Sequence, residues 1–170
     1  MTSTQKPTGD QQLPDLPAGC RLVHKRLETF FENETLIQSD YFSTIEVEES
    51  QHPLVQDPKT EVVMSFPTKA KMAGADGFLS PGSVYHLADN ATTLLIMARD
   101  PTFRNNVTLS LDLKRIAPIP VGKKLFLRCK TTVYNSVFAT VSFEIIGDQN
   151  ELGATGFHTK VYVGFGPQKL

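Results

Sequence analysis

The stretch GFLSPGSVYHLADNATTLLIMARD, residues 77–100, holds the side chains best placed to do chemistry. Asp89 stands among Leu87, Ala88 and Ala91. A carboxylate on an apolar helix face is costly unless it is paired or put to use, and perturbed acids concentrate in working sites. Asp89 is therefore expected to be largely buried and to have a functional role. His86 precedes it by three positions, which puts the two on one helix face, where an imidazole can tune an acid or share its protons. Ser80 suits a helix cap better than a nucleophile, since no activating His–Asp arrangement lies near it. Pro81 has no N–H to give. At this end of the helix the free donors left are the amides of Gly82 and Ser83.

Further along, Thr108 lies in a strand-like run and offers a hydroxyl. His158 and Lys160 share one parity on the last strand; the surface is their expected place, with ligand contact as the alternative. Lys114, Arg115 and Lys160 are cations that could meet a phosphate. No His, Cys or Asp cluster has metal-ligand spacing, and no glycine-rich loop follows a strand in phosphate-binding form, so no metal or cofactor is expected. With 17 basic and 18 acidic residues the net charge is −1, which points to neither nucleic acid nor an anionic membrane. No apolar run approaches the ~20 residues of a membrane span. Cys20 and Cys129 are the only cysteines, too few for a disulfide framework, and a cytoplasmic location is expected.

These groups need a scaffold. Val84, Leu87, Ala88, Ala91, Leu94, Leu95 and Ala98 repeat at helical spacing, Ser80 is the expected N-cap and Pro81 the first helical residue. A short amphipathic helix is expected at Leu22–Phe31, and strands at Tyr41–Val47 and Glu61–Phe66. Residues 67–79 show no period and read as loop. Everything after the long helix reads as strand. Val107, Leu109, Leu111 and Leu113 alternate with Thr108, Ser110, Asp112 and Lys114. Further strands open at Leu125, Phe138 and Thr155, joined by turns at Asn135-Ser136 and Gly147–Asn150. Short connections argue for an antiparallel meander. The organisation is a polar arm over residues 1–20, one α+β domain over 21–166 and a tail over 167–170.

That order of elements, with four motifs, resembles the hotdog-fold thioesterases of the PaaI type, and within them the acyl-coenzyme A thioesterase 13-like branch. The motifs are Gly77-x-Leu79-x-x-Gly82, Leu87-Ala88-Asp89-Asn90-x-x-Thr93, Leu111-Asp112-Leu113 with Ile116-Ala117-Pro118-x-Pro120-Val121-Gly122, and Gly156-x-His158-Thr159-Lys160. The resemblance implies a long central helix wrapped by a curved antiparallel sheet of five to six strands. It also implies an acid at Asp89 and a water-orienting hydroxyl at Thr108, the latter contributed by the partner subunit. Two positions depart from the family pattern, which has Asn where Gly74 stands and a glycine N–H where Pro81 stands. Both normally grip the thioester carbonyl. The turn Val133-Tyr134-Asn135-Ser136 also lacks the cations that related enzymes turn toward nucleotide phosphates.

The implied activity is hydrolysis of acyl-CoA or a carrier-bound acyl-pantetheine thioester. Asp89 and Thr108 would be catalytic, and Ser80, Gly82, Ser83, His86, Arg115 and Lys160 would contact substrate. The alternative is a hotdog protein with a diverged site that binds or transforms a hydrophobic acyl or polyketide-like ligand without thioesterase activity. A scaffold with no small ligand is a third possibility. A homodimer that extends the sheet, or a dimer of dimers, is expected because a lone hotdog leaves a sheet edge uncovered.

Overall fold

A computed structural model describes residues 46–48, 53–54, 56, 60–100 and 104–163. The polar arm, the Leu22–Phe31 helix, most of the Tyr41–Val47 strand, Cys20 and the C-terminal tail lie outside these residues. Among the described residues the elements run β1 Glu46–Val47, β2 Glu61–Pro67, α1 Pro81–Arg99, β3 Asn106–Arg115, β4 Lys124–Tyr134, β5 Phe138–Ile146 and β6 Leu152–Tyr162. Residues 67–79 are not wholly irregular: a single 3-10 turn forms at Ala70–Met72, and Ala73 bridges Leu79.

The helix forms where its apolar period lies. Val84, Leu87, Ala88, Ala91, Leu94, Leu95 and Ala98 are all buried, as the spacing requires. Ser80 caps it, its Oγ accepting from the Ser83 N–H, and Pro81 fills the first helical position. Of the small residues, Ala88, Ala91 and Ala98 lie in the core, whereas Gly82 faces outward. At the other end Asp100 caps the helix and takes Nε–H from Arg104 at 2.8 Å; the Arg104 guanidinium lies 3.7 Å over the Tyr162 ring. The helix is thus tied to the last strand as well as to the core.

All six strands form one antiparallel sheet in the order β1-β2-β4-β5-β6-β3. This is not the simple meander that short connections suggested. β4, β5 and β6 do follow one another, but β3 pairs with β6 instead of β4. The reason is visible in the segment between β3 and β4. Ile116 and Ala117 donate to Gly153 O, Ile119 O accepts from Leu79, and Pro120 bridges Phe78. Those contacts tie the connection to the loop that starts α1 and return the chain across the sheet. β3 therefore ends as an edge strand of ten residues.

A second departure concerns β3 itself. The register steps from Thr108↔Lys160 to Ser110↔Thr159, so Leu109 is an extra, bulged residue. A bulge shifts the side-chain alternation by one. Strict alternation put Thr108 on the face opposite Leu111 and Leu113. With the bulge, Thr108 pairs Lys160, Leu111 pairs His158 and Leu113 pairs Gly156, which places all three on the helix-facing side. Val107 and Leu109 remain exposed, at 50% and 68%.

Candidate active site

The bulge aims Thr108 at the helix. Its Oγ1 lies 3.4 Å from Asp89 Oδ1, 3.0 Å from His158 Nε2 and 3.2 Å from Lys160 Nζ. His158 Nε2 is itself 3.4 Å from Asp89 Oδ1, and its Nδ1 is 2.5 Å from Thr92 Oγ1. Three chemically competent side chains, Asp89 from α1 and His158 and Lys160 from β6, converge on the one hydroxyl that β3 supplies. In front of them an open pocket of about 450 Å³ is lined by Tyr85, His86, Asp89, Thr108 and Leu111, within the usual size range of ligand sites. Helical spacing explains the helix contribution, since positions 85, 86 and 89 form one stripe. Asn90 donates to the His86 carbonyl at 2.7 Å and lies 3.2 Å from its Nδ1, which holds that ring at the pocket wall.

Several expectations need correction. Asp89 is not largely buried: its side chain is 44% exposed, because the stripe it occupies is the one the sheet leaves open. Thr108 already reaches Asp89 within the one chain, because β3 runs beside β6 on the same sheet. His158 and Lys160 are not at the surface; they are 0% and 6% exposed, on the side of β6 that faces the helix. For His158 the strand pattern favours the surface and leaves ligand contact only as the alternative. The signal that could have found it is its shared parity with Gly156 and Ala154, both of which take the core side.

Ser80, Gly82 and Ser83 lie apart from this cluster. Seven helical residues separate Gly82 from Asp89, a rise of about 10 Å. Ser80 Oγ occupies the Ser83 N–H, and Ser83 Oγ donates to Met72 O at 3.0 Å, so both serines are engaged in capping. Ser80 and Val84 amides bond Met72 O and Ser80 O. Among the described residues only the Gly82 N–H in this first turn has no acceptor. Arg115 is also distant, seven residues along β3 from Thr108, or about 20 Å. Of the substrate-contact candidates, the structure brings His86 and Lys160 to the Asp89–Thr108 pair and leaves Ser80, Gly82, Ser83 and Arg115 elsewhere. Among the described residues no group of three His, Cys, Asp or Glu could hold a metal, and no helix is long and apolar enough to cross a membrane.

Burial sets the electrostatics. Desolvation, reinforced by the Lys160 charge and opposed by Asp89, pushes His158 down to about 4. Burial also lowers Lys160 from the usual lysine value, with Asp89 working against that shift. His158 is therefore neutral at pH 7. Its proton affinity is lower folded than unfolded, so it favours the folded state above its ordinary value of 6.5 and loses that contribution as pH falls toward 4. The full difference is roughly 3 kcal/mol. Urea unfolding at about pH 7 and about pH 4.5 should show this loss, and His158→Gln should flatten the dependence. An unchanged slope in the variant would assign the acid sensitivity to other groups.

One long helix packed on an antiparallel sheet in this strand order is the hotdog fold. No family model matches the chain, and no curated protein does. Solved structures do. The E. coli PaaI protein from the phenylacetic acid degradation operon superposes with a TM-score of 0.67 at 14% identity, over 86% of this chain and 97% of that one. Zebra fish thioesterase superfamily member 2 gives 0.67 at 17% identity, over 82% and 98%. The smu.793 protein of Streptococcus mutans, bound to acetyl CoA, gives 0.62 at 16% identity, over 79% and 99%. At such identities the likeness is one of fold.

Proposed function

We propose that this chain is a hotdog hydrolase of acyl thioesters, with acyl-CoA or an acyl-pantetheine as substrate. The observation that carries the reading is the Asp89–Thr108 pair, 3.4 Å apart at the wall of an open pocket. Asp89 is the general base, Thr108 helps to hold the attacking water, and Tyr85 and Leu111 give the acyl chain apolar surface. Support comes also from the fold neighbours that are thioesterases and from the neighbour that binds acetyl CoA.

The donor for the carbonyl oxygen is the Gly82 N–H at the positive end of α1. Because it lies about 10 Å along the helix from Asp89 of the same chain, the working site needs a second copy that brings its own helix end over the first copy's acid. The uncovered edge of β3, with Val107 and Leu109 exposed, is the surface for such a homodimer. A panel of acyl-CoA and acyl-pantetheine esters, read by thiol release, tests the activity. Release above the uncatalysed rate is expected for at least one acyl class; none across the panel would defeat the reading.

A second reading has a specific observation in its favour. Pro81 has no N–H and the Ser83 N–H is taken by Ser80 Oγ, so the helix end retains one donor where the family uses more. A site of that kind would bind a hydrophobic acyl or polyketide-like ligand without hydrolysing a thioester. Ligand binding in the absence of thiol release separates the two.

A further inference from the structure

The hydrogen-bond chain behind the pocket has a definite direction. Thr92 Oγ1 lies 2.6 Å from Ala88 O and 2.5 Å from His158 Nδ1. A carbonyl oxygen only accepts, so the hydroxyl proton of Thr92 is spent on Ala88 O. Toward His158 the Thr92 oxygen then presents lone pairs, and a contact this short requires that Nδ1 carry the proton. A neutral imidazole has one N–H, and His158, fully buried, is neutral. Its Nε2 is therefore bare, and the 3.0 Å contact to Thr108 is one in which Thr108 donates. Lys160, whose ammonium can only donate, gives a hydrogen bond to the same Thr108 oxygen at 3.2 Å.

We infer that His158 and Lys160 are positioning residues that lock the Thr108 hydroxyl so that it accepts, and does not donate, toward the pocket. This rests on the thioesterase reading above. Thr108 has one proton, given inward to His158, and two lone pairs, one held by Lys160 and one left facing Asp89. Two acceptors, Thr108 Oγ1 and Asp89 Oδ1, then hold both protons of one water and leave its own lone pair for the thioester carbonyl. The water oxygen forms the new C–O bond, and Asp89 takes one proton. The C–S bond breaks with its electron pair on sulfur, and Asp89 returns that proton to the thiolate. The second proton, held by Thr108, remains on the carboxylic acid until it ionises in solvent. Were Thr108 a donor toward the pocket, it would compete for Asp89 and leave the water held on one side only.

The arrangement predicts a pattern that separate structural roles do not. His158→Leu and Lys160→Met should each lower kcat about 10- to 100-fold with KM within about twofold, since both act through a group used in the chemical step. His158→Gln, whose amide oxygen can still accept from Thr108, should recover much of the loss. In a Thr108→Val background either substitution should add less than about twofold, because the group they position is gone. Additive losses would overturn the inference. So would a rise in KM at constant kcat for Lys160→Met, which marks direct ligand contact, or an acyl adduct on Thr108 by mass spectrometry, which marks a nucleophile.

A measurement independent of activity keeps the hydroxyl orientation testable even if no thioester is hydrolysed or a variant fails to fold. The chain has four histidines, and 15N-edited spectra of histidine-labelled protein report which ring nitrogen of each is protonated, His158 being assigned by its absence in His158→Gln. Nδ1–H is the expected form. Nε2–H would overturn the inference whatever the activity, whereas Nδ1–H in a protein that hydrolyses nothing would sustain the orientation and defeat only the thioesterase reading.

Discussion

Asp89→Asn is expected to lower kcat for thioester hydrolysis by about 10²- to 10⁴-fold, the usual contribution of a positioned general base. The amide is nearly isosteric with the carboxylate and keeps its two long contacts to Thr108 and His158, but it cannot take the water proton. Fold should survive, because the Asp89 side chain is 44% exposed and the helix is held by its other face through Leu87, Leu94 and Leu95. A partly exposed substitution of this type moves stability by about 0.5 kcal/mol or less. Thiol release measured beside urea unfolding separates the outcomes. Loss of rate with unchanged stability assigns the chemistry to the carboxylate; an unchanged rate removes Asp89 from the mechanism. The variant also bears on the choice between readings, since a protein that only binds an acyl ligand has no rate to lose.

How much of this was legible in the sequence depends on which level of structure placed each residue. The helix was legible from beginning to end. Its seven periodic apolar residues are buried, and Ser80 caps it just ahead of Pro81, because helix period and cap chemistry are local. Asp89 and His86 stood out for the same reason. Thr108 was found through family resemblance, but strict alternation turned it away from the core-facing leucines. What corrects it is the bulge at Leu109, and one inserted residue in a strand carries no local signature when both neighbours are ordinary strand formers. His158 was assigned to the surface because a strand reading counts imidazole as polar. Its burial is made possible by Thr92, 66 positions earlier, which partners Nδ1, and by Thr108, which partners Nε2. Such pairing is tertiary, and neither partner is visible from β6 alone. The same holds for strand order. The short connection between β3 and β4 favoured pairing the two, whereas its actual anchors are Leu79 and Phe78 at the start of the helix.

Restoring the two missing donors is expected to raise kcat/KM by at least tenfold. The reason lies at the start of α1. Loss of one oxyanion donor typically costs about 10²- to 10³-fold, and this chain lacks both a side-chain amide at Gly74 and an N–H at Pro81. Pro81→Gly supplies the N–H at an exposed first helical position, beside the Gly82 amide that already points outward. Some helix stability goes with the proline, since its fixed φ suits that position. Gly74→Asn places a Cβ 3.0 Å from Asp76 Oδ1, the end of an exposed side chain that can move aside, although Asp76 would then have to keep or give up its bond from the Phe78 N–H. Position 74 does not have the left-handed backbone of Gly77, so asparagine meets no φ barrier there. Steady-state kinetics on the best acyl-CoA of the panel, with each single variant beside the double, resolve the matter. A gain concentrated in kcat means the native corner is short of transition-state stabilisation, as its remaining donor suggests. No gain, or a loss, in a double variant that remains folded would mean that the chain grips the carbonyl oxygen from somewhere other than the first turn of this helix.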